Sequence, residues 1–139
     1  MNDRLQTAGL VPFFQKDGDI YIFMQMRDEH AKRWPNTWGF FGGALEEGET
    51  PLDAVKREIE EELSIAIPDP IFFKHYDGEI ADTDVFLLEV PESFSEQVVV
   101  REGKYGKFLT LSGMSAIDLR EHYRKIMKDL SVHFNQDGE

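Results

Sequence analysis

The chain has 139 residues, a length that fits one domain, 1–139, burying about two thirds of the surface its unfolded form would expose. With 27 acidic side chains against 15 Lys and Arg, the formal net charge of −12 argues against duplex nucleic acid or an anionic membrane as a partner. The absence of cysteine excludes a disulfide framework and thiolate chemistry. With no long apolar run and no signal-peptide core, a soluble cytoplasmic protein is the expectation.

Residues 7–14 and 19–27 are apolar, aromatic and β-branched runs, and Asp17-Gly18 between them predicts an antiparallel hairpin. Asp17-Gly18-Asp19 does not continue into a calcium loop, because Ile20, Tyr21 and Ile22 offer no further ligands. Residues 27–36 read as loop and 37–41 as a short strand leading to Gly42-Gly43, where bare backbone can turn sharply and approach a ligand. A helix start is then written locally: Thr50 suits the N-cap, Pro51 the first turn, and Asp53 completes a capping box. Leu52, Val55, Ile59 and Leu63 make one apolar stripe on this helix. Pro68 and Pro70 break the chain after it. Strands are expected over 71–76 and 84–90, around a turn at Asp77-Gly78, followed by a loop over 91–96. Further strands over 97–101 and 107–111 lead to a helix over 115–132 that packs on the sheet, and 135–139 fray. This order predicts an α/β fold with a mixed sheet between helices.

The first helix carries Glu58, Glu61 and Glu62 on a face beside its apolar stripe. Like charges at these spacings cost roughly 0.2–0.5 kcal/mol per pair, and acids near a helix C-terminus oppose its dipole. A divalent cation reverses that cost, because carboxylate oxygens are what Mg²⁺ or Mn²⁺ takes as ligands. Lys56 and Arg57 are expected to relieve the repulsion only in part, from another face. A plain solvated acidic face explains neither the clustering nor the paired glycines ahead of it.

Gly43, five residues, Glu49, seven residues, then Arg57-Glu58-Ile59-x-Glu61-Glu62-x-Ser64-Ile65 resembles the signature of the Nudix hydrolases. The departure is Ser64, where the pattern has a glycine that would allow a left-handed helix end. The resemblance implies a Nudix-type α/β/α sandwich that uses Mg²⁺, or Mn²⁺ in its place, to cleave a pyrophosphate bond in a small-molecule nucleotide. It leaves room for a homodimer. It makes Glu58, Glu61, Glu62 and the backbone carbonyl of Gly42 metal ligands, with Glu49 supporting them directly or through hydrogen bonds and Arg57 orienting the carboxylates.

Residues 101–111 resemble the corresponding loop and strand of MutT-type members, which puts a general base or extra ligand at Glu102. Glu92 and Glu96 are its rivals, and Glu58 is a further candidate for the base. Arg27 matches an arginine that contacts substrate in MutT-type relatives, and Trp34, Trp38 and Phe41 are candidates for stacking on a base. Phe41 stands where the family often has proline. His30, His75, His122 and His133 show no ligand spacing and read as structural or exposed. A nucleoside triphosphate, cut to monophosphate and pyrophosphate, is the expected substrate. An NDP-sugar, a dinucleoside polyphosphate, or a catalytically silent nucleotide-binding domain are the alternatives.

Overall fold

The computed structural model describes residues 4–31, 35–78, 81–101, 103, 105–116, 119 and 121–134, the side chains of 115, 116 and 121 excepted. Trp34 and Glu102 lie outside the described residues. β1 (Leu5–Lys16) and β2 (Asp19–Met26) form the expected hairpin, with Lys16 paired to Asp19. Asp17 and Gly18 take φ of 54° and 82°, the two left-handed residues that a two-residue hairpin turn needs and that Asp-Gly tolerates.

β1 and β2 pair only where Phe13–Lys16 face Asp19–Ile22, and beyond that they separate. The fork between them is filled by one stretch of chain: β3 (Trp38–Gly39) pairs with β2, and β4 (Phe41–Ala44) pairs with β1. The single strand expected over 37–41 is therefore split at Phe40, and its second half runs on through the glycine pair. β5 (Ile71–Asp77) pairs antiparallel with β6 (Ala81–Glu89), and β6 runs parallel to β1. β7 (Tyr105–Thr110) closes the other edge of β2. The result is the expected mixed sheet, in the order β3-β2-β1-β6-β5 with β4 on β1 and β7 on β2.

α1 (Pro51–Leu63) and α3 (Glu121–His133) cover opposite faces, because successive strand residues point to opposite sides. Ala8, Leu10, Phe23, Phe41 and Phe86 meet Val55, Ile59 and Leu63 of α1. Val11, Ile20, Ile22, Met24 and Val85 meet Ile126, Met127 and Leu130 of α3. Tyr76 also ties the second layer to the sheet, its hydroxyl donating to Asp129 at 2.7 Å. The α/β/α sandwich is thus the fold observed. Among the described residues no helix is long and apolar enough to cross a membrane.

Two expected elements differ. The strand over 97–101 does not form; α2 (Phe94–Gln97) is followed by irregular chain. Its amides go to a helix end, as described below. The last helix begins at Glu121, later than the apolar spacing suggests, and Leu111–Ala116 is a 3-10 turn. Leu111 and Met114 both enter the core, and a spacing of three residues is what a 3-10 turn stacks on one side.

Candidate functional site

The capping box at the start of α1 is present. Thr50 Oγ1 accepts from the Asp53 amide at 3.1 Å, and Asp53 Oδ2 from the Thr50 amide at 3.5 Å. Val55, Ile59 and Leu63 are fully buried, worth roughly 1.5–3 kcal/mol each. That exceeds the few tenths of a kcal/mol that each like-charge pair costs. The helix forms in spite of its acids, so the acids need not contribute to folding.

Arg57 is the centre of the acidic cluster, which corrects the expectation that it lies on another face. Its Nε and Nη2 grip both oxygens of Glu49, at 2.7 and 3.0 Å. Nη1 donates to Glu58 at 3.1 Å and Glu61 at 3.3 Å, and Nη2 also donates to the Ala44 carbonyl at 3.1 Å. All five guanidinium N–H groups are used, a geometry that lysine's single ammonium has no means to copy. Hydrogen bonding to Glu49 is the main reason the Arg57 pKa is raised, and the same bond holds the Glu49 carboxyl below the usual range. Glu46 adds a contact to Arg57 at 3.7 Å that the sequence reading missed. Its place three residues before Glu49, across a tight turn, is the signal that was available. Lys56, by contrast, leaves the cluster and pairs with Asp69 at 2.5 Å.

The glycine pair fits under these acids. A Cβ on Gly43 would lie 2.5–2.7 Å from the Glu58 carboxyl atoms, so this carboxylate rests directly on bare backbone. Gly42 has φ of 144°, and a Cβ there would meet the Ala8 carbonyl at 2.1 Å. Its amide donates to Glu62 Oε1 at 2.9 Å. Glu62 is buried with 4% of its surface exposed, whereas the Glu61 side chain is 56% exposed. The fork in the sheet thus carries the glycines, and α1 lays Glu58 and Glu62 onto them.

The end of α1 holds the unusual residue of the motif. Ser64 takes φ 57° and ψ 36°, the left-handed conformation glycine would adopt, at a cost of about 1–2 kcal/mol for a residue with a Cβ. The chain after α2 docks there. Arg101 N donates to Glu62 O at 2.7 Å, Val99 N donates to Leu63 O at 3.0 Å, and Arg101 Nε donates to Ser64 Oγ. These amides satisfy helix carbonyls that would otherwise lack partners, and so they do not join the sheet.

The remaining expected residues are scattered in their fit. Arg27 is half-buried just beyond β2, and its backbone closes the 27–37 loop through Thr37 O and the Asn36 amide. Trp38 is half-buried and meets Tyr105 edge to face, 5.7 Å between ring centres. Phe41 is corrected: it is fully buried, stacked on Phe23 at 5.5 Å under α1, and has no face to offer a base. Glu92 pairs with Lys16 at 3.1 Å and Glu96 is exposed on α2.

Among the described residues, the possible ligand groups that gather most tightly are not on α1. They are His75, Asp77 and Asp82 on β5 and β6. His75 donates to Asp84 at 2.6 Å and to Asp77 at 3.0 Å, and the bond to Asp84 is the chief reason its pKa is raised. The cluster already holds a cation, since Arg4 contacts Asp82 at 2.8 Å. The sequence reading missed this group; His75-x-Asp77 and Asp82-x-Asp84 on neighbouring strands were its signal.

A family model described as the NUDIX domain matches residues 3–129. The chain belongs to the Nudix family. The Escherichia coli 8-oxo-dGTP diphosphatase is 31% identical over 104 residues, which cover 74% of this chain and 78% of that protein. A nucleoside triphosphatase, NudI of Escherichia fergusonii, is 42% identical over 58 residues, 42% of this chain and 40% of that protein. A MutT solved in a comparison of the Aliivibrio salmonicida and Vibrio cholerae proteins superposes with a TM-score of 0.76 at 24% identity, over 94% of this chain and 99% of that one. The chain is therefore a Nudix hydrolase of MutT type. The sandwich presents the acids gathered on α1 and the glycine pair beneath them together at one place.

Proposed function

We propose that this Nudix hydrolase cleaves a nucleoside triphosphate to the monophosphate and pyrophosphate with a divalent cation. The observation that carries the proposal is the setting of Glu58 and Glu62, one resting on Gly43 and the other held by the Gly42 amide. The likeness to a diphosphatase of an oxidised nucleoside triphosphate over most of both chains supports the substrate class.

Carboxylate oxygens of Glu58, Glu61 and Glu62, with the Gly42 carbonyl, suit a hard cation such as Mg²⁺ or Mn²⁺. Bound there, that cation would supply the positive charge that the phosphate oxygens require as the anhydride breaks. Arg57 keeps Glu58 and Glu61 turned to one side and ties them to Glu49. In the reaction a water oxygen bonds to the α- or β-phosphorus, the anhydride bond between the α- and β-phosphates breaks, the electron pair leaves with the other fragment so that monophosphate and pyrophosphate separate, and the water's proton passes to a carboxylate. Glu102 is the first candidate for that carboxylate and Glu58 the second. Arg27 and Trp38 are the candidates for contact with the phosphates and the base.

The test is release of pyrophosphate and phosphate from nucleoside triphosphates, oxidised nucleotides, NDP-sugars and dinucleoside polyphosphates, with Mg²⁺ and with chelator. Pyrophosphate from a triphosphate, abolished by chelator, is the expected result. Turnover of another class alone would move the substrate. Silence across the panel in protein that still binds metal would make it a nucleotide-binding domain.

A further inference from the structure

β5 shifts register by one residue: Phe72 pairs with Phe86, but Lys74 pairs with Val85, and Phe73 is passed over. Without this bulge Lys74 would stand across from Asp84, and His75 would point to the other face across from Thr83. With it, His75 pairs with Asp84 and Asp77 with Asp82. Asp84 pairs in turn with Ala8, which packs against α1, so the four side chains share the α1 face of the sheet at its β5 edge. Asp82 is buried with 6% of its surface exposed, whereas the His75 and Asp77 side chains are 45% and 80% exposed, so the group opens to solvent. Asp84 holds His75 Nδ1 at 2.6 Å, and Nε2 is turned to Asp77 at 3.0 Å. One ligand atom from each of His75, Asp77 and Asp82 lies within 4.8 Å of the others.

We infer that His75 Nε2 and carboxylate oxygens of Asp77 and Asp82 form a site for one divalent transition ion of the zinc class, apart from the acids of α1. Asp84 orients the ring for this: a carboxylate on Nδ1–H leaves the Nε2 lone pair to the metal. Zn²⁺ holds tetrahedral donors at about 2.0–2.1 Å, hence about 3.4 Å from one another, and small rotations of the exposed His75 and Asp77 side chains close the group to that spacing. Arg4 meets Asp82 Oδ1 at 2.8 Å and Gln6 meets Oδ2 at 3.2 Å. A carboxylate has about four lone-pair sites, so these two donors leave room for a metal. Three carboxylates against the Arg4 guanidinium leave an excess of negative charge for a divalent ion to neutralise. The imidazole favours Zn²⁺ over Mg²⁺, the reverse of the all-oxygen acids on α1.

The test is a calorimetric titration of ZnCl₂ into the full chain, with millimolar Mg²⁺ present to occupy the acids of α1. Zn²⁺ is expected to bind once per chain. Asp84→Asn weakens that binding about 10- to 100-fold by loosening the ring, and Asp77→Asn and His75→Gln, which remove ligands, weaken it at least as much. Asp77 is the most exposed of the group, so Asp77→Asn keeps the fold even where His75→Gln loses it, and the Tm of each variant separates the two effects. Zn²⁺ affinity in Glu58→Gln stays at that of the unsubstituted chain. By NMR, the His75 ring protons shift on adding Zn²⁺ while those of His30 and His133 stay in place. No Zn²⁺ binding, an affinity unchanged in Asp77→Asn and Asp84→Asn, or binding that disappears in Glu58→Gln overturns the inference. None of these measurements involves a nucleotide, so each judges the site whether or not the chain hydrolyses one.

Discussion

Gly42 and Gly43 are adjacent, yet they lack side chains for different reasons, and the difference is testable. At Gly42 the added atom would strike backbone, the Ala8 carbonyl, in a φ region that L residues rarely enter. At Gly43 it would strike the far end of the Glu58 side chain, a flexible group and not backbone. Gly42→Ala is therefore expected to destabilise the fold by about 1–3 kcal/mol or more. Gly43→Ala leaves Tm nearly unchanged but lowers turnover by one or more orders of magnitude, because Glu58 is displaced. Thermal melts and kcat on the two variants check this, and equal losses of stability in both would sink the distinction. Much at this scale was legible beforehand: the three glutamates, Arg57 and the glycine pair are a spacing pattern, and spacing survives in a string of letters. The role of Phe41 was not, since its burial depends on Phe23 and α1 arriving from distant parts of the chain. Nor was the full reach of Arg57, because its grip on Glu49 is set by the turn at 46–49 and not by helix geometry.

Elements whose signals are local were read with near-correct ends, and elements decided by partners were not. Asp-Gly and the Thr50 box each carry their own hydrogen bonds or backbone preference, so the β1–β2 hairpin and α1 follow from sequence. Residues 97–101 have the composition of a strand, but the unsatisfied carbonyls at the end of α1 take the Val99 and Arg101 amides first. The β5–β6 pair shows the same dependence on a neighbour, and it makes stability respond to pH. His75 stands between Asp84 and Asp77, with Asp82 and Arg4 beside them, and its pKa is raised above the ordinary value. A group that binds its proton more tightly when folded stabilises the fold fully below its unfolded pKa, about 6.5. That contribution is lost as pH rises through the higher folded value. The Tm advantage over His75→Gln is expected to be largest near pH 5–6 and to shrink toward pH 9 at constant ionic strength. An advantage that stays constant across that range would show that the proton on His75 does not hold the edge strand.

At the scale of the whole molecule, the net charge of −12 and the two-faced core meet at one place. Both faces of the sheet are sealed by apolar contacts with α1 and α3, so Glu58 and Glu61 of α1 are left to a rim where Arg57 pairs with both. One guanidinium shared among Glu46, Glu49, Glu58 and Glu61 leaves an excess of negative charge. A divalent cation that binds this excess in the folded chain and not in the unfolded one must raise stability by RT ln(1 + [L]/Kd), about 2.7 kcal/mol at one hundred times Kd. For a chain of this size that is a Tm increase of roughly 5–10 °C. Monovalent salt also weakens repulsion, with a screening length of about 10 Å at 0.1 M, but it acts on every exposed charge and selects no site. The comparison that decides is therefore Mg²⁺ or Mn²⁺ against KCl at matched ionic strength, in the unsubstituted chain and in Glu58→Gln. A rise with divalent metal that exceeds the KCl effect and falls in Glu58→Gln is the expected outcome. An equal rise with KCl would reduce the cluster to general repulsion, and a full rise in Glu58→Gln would put the cation elsewhere, with the His75, Asp77 and Asp82 group the place to look next.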